Sequence, residues 1–150
     1  MNLYLEPLDV NNWLKVCRLE VTEEQKEVHP IPNVYYIGIS RYEEFTELFA
    51  VKHGDEYVGL IGGGLDEDGQ SGYVNPLMID RRYQGRGYGR AAMKLMIEYL
   101  RSQHQIPRVN LGHRANNEIA ARLYESLGFK LTGEADNSLE SRDHHRSLEF

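Results

Sequence analysis

The residues with the clearest chemical potential are Gln84, Gly85, Arg86, Gly87, Tyr88, Gly89 and Arg90, which follow the apolar run Leu77-Met78-Ile79 and open a periodic helical stretch. Three glycines in five positions let backbone N–H groups crowd around one point without Cβ interference. The helix start adds unpaired N–H donors and the positive end of a dipole, and Arg86 and Arg90 add full charge. Together these suit a phosphate or pyrophosphate, hence a nucleotide-type cofactor. A P-loop would need Lys-Ser/Thr after its last glycine, and here Gly89 is followed by Arg90-Ala91. The pattern G-x-G-x-x-A does occur at Gly87–Ala92, but charged residues separate it from the preceding strand. Its ribose position carries Asn110 rather than an acid. Neither nucleotide reading fits.

A second segment settles the choice. Asn117-Glu118-Ile119-Ala120-Ala121-Arg122-Leu123-Tyr124-Glu125-Ser126-Leu127-Gly128-Phe129 resembles the N-x-x-A-x-x-L-Y-E-x-x-G-F stretch of the Gcn5-related N-acetyltransferase (GNAT) superfamily. Gln84–Gly89 resembles that superfamily's Q/R-x-x-G-x-G/A signature, and the two stand in the family's order. Within it, Leu77–Asp80 followed by Tyr83–Gly89 looks most like bacterial diamine and polyamine acetyltransferases.

The resemblance implies an α/β fold: a mixed, mostly antiparallel central sheet of six or seven strands, about four flanking helices, and a splay between the two central strands. It implies acetyl-coenzyme A as cosubstrate. Backbone amides of Leu77, Met78 and Ile79 would run beside the pantetheine arm. Those from Arg86 to Arg90 would hold the pyrophosphate, with Gln84 at the start of the turn. Tyr124 would protonate the departing sulfur, and Asn117 would both cap its helix and bond the pantetheine. The implied activity is direct acetyl transfer to a small cationic amine, diamines and polyamines favoured. Other acceptors (an aminoglycoside, an amino acid, a protein amino terminus) and a non-catalytic acyl-coenzyme A sensor are the competing readings. A homodimer is the family expectation.

The elements that must position these residues follow from periodicity. Leu3–Leu5 reads as a strand ended by Pro7, and Asn11 or Asn12 as the cap of a helix through Trp13, Val16, Cys17 and on to Val21. His29-Pro30-Ile31-Pro32 stops any helix, and Asn33–Ser40 reads as a short helix or loop lining a cavity. Phe45–Val51, Tyr57–Ile61 and Tyr73–Ile79 read as an antiparallel meander, weakened at Gly62-Gly63-Gly64 and bulged at Pro76. Ala92, Met93, Leu95, Met96, Tyr99 and Leu100 mark a helix of about four turns. Arg108–Leu111 is a strand, Ile119–Leu127 a second helix closed by Gly128, and Phe129–Leu131 another strand. The polar stretch 136–146 departs from the family's apolar last strand, leaving Ser147–Phe150 as a shortened strand or a frayed end.

Composition bounds the rest. The chain has 150 residues, 41% hydrophobic and 27% charged, which fits one acetyltransferase domain over residues 1–150. No apolar run approaches membrane-spanning length, and no signal peptide is seen. One cysteine, Cys17, fits a reducing cytoplasm and reads as a packed thiol. Residues 1–68 carry 14 acidic against 5 basic side chains, and residues 69–150 carry 9 against 12. The acidic half argues against nucleic acid and suits a cationic substrate. Glu23, Glu24, Glu27, Glu43, Glu44 and residues 66–68 are candidate bases or cation anchors, together with Tyr35, Tyr36 and Tyr73. His113, at a strand end, reads as a surface histidine, with a place facing the site as the alternative. His144-His145 lacks partners at ligand spacing, so no metal is expected.

Overall fold

The computed structural model describes residues 2–43, 46–132 and 143–150. Two features of the chain dictate its layers: alternation of apolar residues in the first half, and helical spacing after residue 87. The strands β1 (Leu3–Pro7), β2 (Glu47–His53), β3 (Glu56–Leu65) and β4 (Gly72–Ile79) form the expected antiparallel meander. In β2, Phe49 and Val51 enter one core while Leu48 and Ala50 enter the other. That two-sided burial requires helices on both faces of the sheet.

One face is covered by α3 (Tyr88–Gln103) and α4 (Glu118–Ser126), the other by α1 (Trp13–Cys17) and α2 (Asn33–Tyr42). Ala92, Met93, Met96 and Leu100 give α3 a continuous buried stripe. The helix α1 stops at Cys17, well short of Val21. Asn12 does not cap it by a side-chain bond. Its Oδ1 instead accepts from Asp9 N at 2.8 Å and its Nδ2 donates to Pro7 O at 3.0 Å, so it closes the turn after β1.

Strand β3 continues through the glycine run to Leu65 instead of weakening there. A Cβ on Gly63 would overlap the carbonyl oxygen of Tyr73, so close backbone packing against β4 explains the residue. Between Ile61↔Leu77 and Gly63↔Val74 the ladder skips one residue in β3 and two in β4, placing the expected bulge at Asn75-Pro76.

The described sheet has the order β1-β2-β3-β4-β5-β7-β6, with β5 at Arg108–Arg114, β6 at Lys130–Leu131 and β7 at Asp143–Glu149. The parallel pair β4–β5 is joined only at Gly72↔Val109 and Tyr73↔Asn110. Beyond Tyr73 the two central strands part, as the resemblance implied. At the carboxyl end the expectation is corrected. Residues 143–146 of the polar stretch belong with Ser147 to a full strand, β7, which pairs along all of β5 and separates it from the two-residue β6. The expected strand residue Phe45, the candidate Glu44 and residues 136–142 of the polar stretch lie outside the described residues. Among the described residues no helix is long and apolar enough to cross a membrane.

Candidate active site

The parting of β4 and β5 opens a cleft of about 970 Å³ that runs from the glycine turn past α4 to the α1–α2 side of the sheet. Its first wall is β4 and the turn. Leu77, Met78, Ile79, Gln84, Gly85, Gly87, Tyr88 and Gly89 all line it. Asp80, 2% exposed, fixes the end of β4. Its Oδ1 accepts from Arg82 N at 3.0 Å and Arg82 Nε at 2.8 Å, and its Oδ2 accepts from Glu20 N at 3.0 Å. Burial alone would raise its pKa, but these donors outweigh burial and hold the carboxyl below its ordinary value. Gln84 braces the turn through Nε2, which donates to Ile79 O at 2.8 Å and Gln25 Oε1 at 2.6 Å.

The turn ends at Gly87, whose φ of 82° is left-handed and disfavours any side chain. Gly87 is the N-cap of α3, and no side chain caps that helix. The donors of its first turn are therefore left to a ligand or solvent. The arginines behave differently from expectation. Arg86 lies over the Tyr83 ring at 5.7 Å, with Nη2 donating to Arg82 O at 3.3 Å. Arg90 donates to the hydroxyl of Ser126 and, at 3.4 Å, to its carbonyl. It thereby serves the carbonyl-rich end of α4. Neither lines the cleft, so the turn faces it with backbone N–H groups rather than guanidinium charge.

The second wall is made of side chains from β5, α4 and β7. Asn117 caps α4, its Oδ1 accepting from Ala120 N at 3.1 Å, and it lines the cleft. Tyr124 lines it too, buried between the rings of Phe129 and His113, each 5.9 Å away. Burial pushes its phenol up to about 12, so the hydroxyl is held protonated. His113 is not a surface residue. It is 7% exposed, faces the cleft and bonds to the buried Arg146.

Away from the glycine turn, Val21, Val28, Ile31, Tyr36, Tyr73, Asp66, Asn110 and Ser147 also line the cleft. Of the carboxylates weighed from the sequence, Asp66 lines the cleft, while Glu23, Glu24, Glu27, Glu43, Glu67 and Asp68 do not. Asp66 Oδ2 accepts from Asn110 Nδ2 at 3.0 Å, and Ser147 Oγ donates to Asn110 Oδ1, a polar chain at the joined end of β4 and β5. Glu23 is paired with Lys26, and Asp68 closes its own turn on Gln70 and Ser71. Tyr36 and Tyr73 line the cleft, whereas Tyr35 faces solvent.

Sequence reasoning missed His29, Arg146 and the burial of His113. His29 lines the cleft beside Tyr36, and burial pulls its pKa below the ordinary histidine value. The only signal for it was its place before two prolines. Cys17 is half-buried, its thiol pushed up by burial, and does not line the cleft. Among the described residues no three His, Cys, Asp or Glu side chains are grouped as metal ligands.

Against known proteins, the family model described as "Acetyltransferase (GNAT) family" matches residues 9–129. The spermine/spermidine N(1)-acetyltransferase of Bacillus subtilis is 35% identical over 128 residues, covering 81% of this chain and 72% of that protein. The mycothiol acetyltransferase of Acidothermus cellulolyticus is 47% identical over a shorter 89 residues, 59% of this chain and 26% of that one. Among solved structures, the spermidine N-acetyltransferase of Vibrio cholerae, in complex with CoA and spermine, superposes with a TM-score of 0.79. It is 16% identical, with 99% of this chain and 95% of that chain covered, so the likeness is one of fold.

Proposed function

This chain belongs to the acetyltransferase (GNAT) family, and we propose that residues 1–150 act as one domain that acetylates a small cationic amine, diamines and polyamines favoured. It is an N-acetyltransferase that uses acetyl-coenzyme A. The observation that carries the site assignment is the protonated Tyr124 phenol, buried in the wall of a cleft that ends at the uncapped start of α3.

The residues fit the donor molecule. A pyrophosphate matches the open N–H groups of the turn from Gln84 to Arg90. The splayed edge of β4 at Leu77, Met78 and Ile79 offers backbone amides to a pantetheine arm, as β-strand additions do. When bound, the donor supplies a thioester carbonyl for the amine to attack. A β4 amide aimed at the developing oxyanion contributes on the order of 2.7–4 kcal/mol, by analogy with other oxyanion holes. Tyr124 gives its proton to the sulfur. No cysteine lines the cleft, which supports direct transfer without an acyl-enzyme.

An alkylamine of pKa about 10.4 must reach the thioester neutral, and the apolar lining at Val21, Val28 and Ile31 favours loss of its proton. Asp66 anchors a second, charged nitrogen, and Tyr36 and Tyr73 supply aromatic surface around it. This is why an acceptor with two amines fits better than one with a single amine. The name of the Bacillus subtilis relative supports the same class. The one cysteine supports a reducing, cytoplasmic setting.

Coenzyme A release with a panel of amines, in wild type and Tyr124→Phe, tests the proposal. Turnover is expected with diamines and polyamines, with kcat falling by about 100-fold or more in Tyr124→Phe. Full activity in that variant removes Tyr124 as the acid. Tight acetyl-coenzyme A binding without turnover on any amine makes the chain a sensor.

A further inference from the structure

One side chain in the second wall has no part in the chemistry above. Arg146 lines the cleft yet is 4% exposed. A buried guanidinium is costly unless its donors are met. They are: Nε donates to His113 Nε2 at 2.9 Å, Nη2 to Glu125 Oε1 at 3.1 Å, and Nη1 to Phe129 O at 3.5 Å.

Its charge is balanced less well than its hydrogen bonds. The Glu125 side chain is 61% exposed, so water screens the carboxylate while the cation stays in the wall. His113 adds no charge of its own. Arginine only donates, so His113 Nε2 must present its lone pair and the ring proton sits on Nδ1, which donates to Arg114 O at 2.8 Å. Both ring nitrogens are thus engaged, and His113 is a brace rather than a base. Its ring carries the brace to within 5.9 Å of the Tyr124 ring. Among the described residues, the other charged or titratable groups at this wall are Arg114 on β5, His144 and His145 on β7, and Tyr124 on α4, the His144 ring lying edge-on to His113 at 5.6 Å.

We propose that Arg146 is the buried cation that stabilises the thiolate of coenzyme A as it departs, held in place by His113 and Glu125. As the amine nitrogen bonds to the acetyl carbon, the carbon–sulfur bond breaks and its electron pair stays on sulfur. The amine's proton leaves to solvent, Tyr124 protonates the sulfur, and the phenolate left behind regains one proton from solvent, so the proton count closes. Until that proton arrives the wall faces a full negative charge, which a fixed positive potential favours. The proposal rests on coenzyme A occupying this cleft, but not on Tyr124 being the acid.

The thiol of bound coenzyme A is titrated by the ultraviolet absorbance of its thiolate, with the desulfo-coenzyme A complex as baseline for protein tyrosines. Arg146→Met is expected to raise the bound thiol's pKa by about one unit. Glu125→Gln, which removes the screening charge and keeps an acceptor for Nη2, is expected to lower it. Unchanged titration in both variants overturns the proposal. If Arg146→Met fails to fold because His113 loses its donor, Glu125→Gln decides alone, and a thiol that does not move down overturns it. Absence of saturable coenzyme A binding to wild type, seen by calorimetry, overturns this proposal and the cofactor assignment together. A fully active Tyr124→Phe with the predicted thiol shifts overturns only the acid.

Discussion

The two walls of the cleft are built from different material. The β4 wall and its turn present backbone: Leu77–Ile79, the glycines, and the first N–H groups of α3, which no side chain caps. The opposite wall presents side chains that satisfy one another: Asn117 on its own helix, His113 on Arg146, and Arg146 on Glu125. Open donors suit a ligand whose charge is fixed. Mutually bonded side chains suit a place where charge appears and disappears. Both helix starts, α3 and α4, reach the cleft, yet α4 begins with its own side-chain acceptor and α3 begins with a glycine in the left-handed region.

The comparison breaks most directly at Gly89. A Cβ there would make only ordinary contacts, 3.7 Å from Leu123 Cδ2 and 3.8 Å from Ile79 Cγ1, so the fold itself does not need this glycine. Gly89→Ala should therefore raise stability, by up to about 1 kcal/mol, since alanine favours helix. If a pyrophosphate lies against the backbone of this turn, the same methyl should weaken coenzyme A binding on the order of 100-fold. Thermal unfolding and calorimetry on one sample read both effects. Unchanged binding would falsify the backbone cradle.

A smaller effect is expected around Asp66, the one carboxylate among the described residues lining the cleft. Asp66→Asn keeps the size of the side chain and its contact with Asn110 while removing the charge. The KM for a diamine should rise about tenfold, the size of one lost charge-assisted contact, with the KM for acetyl-coenzyme A unchanged. Equal KM values for the diamine in both proteins would remove Asp66 as the anchor.

The same contrast explains what was legible in the sequence. A turn that exposes backbone writes itself as closely spaced glycines, and Gly85, Gly87 and Gly89 could be read directly. The meander and α3 were legible because period-two and period-3.6 burial stripes are local. Strand β7 was not. It sits between β5 and β6, and its inward-facing Arg146 occupies a core position as a charge. Hydrophobic patterning cannot flag such a strand. His113 was misread for the same reason, since its partner lies 33 residues away and meets it only through the β5–β7 pairing. Arg86 and Arg90 show the converse limit. Their sequence position suggested an anion, but nearer partners, the Tyr83 ring and the end of α4, hold them.

The mildest test separates the two functions that meet at Asn117. Its Oδ1 is spent on Ala120 N, and among the described residues its Nδ2 donates to nothing. Replacing it with alanine removes both atoms, so stability should fall by about 1 kcal/mol, the usual value of an N-cap. Coenzyme A binding should weaken a few-fold, the size of one neutral hydrogen bond. Replacing it with aspartate keeps the acceptor and adds a charge that the start of α4 favours, so stability should hold or rise. Binding should still weaken, because the donor is gone. Should Asn117→Asp bind coenzyme A as tightly as wild type, Asn117 belongs wholly to its helix. The second wall would then touch the cofactor through Tyr124 and Arg146 without it.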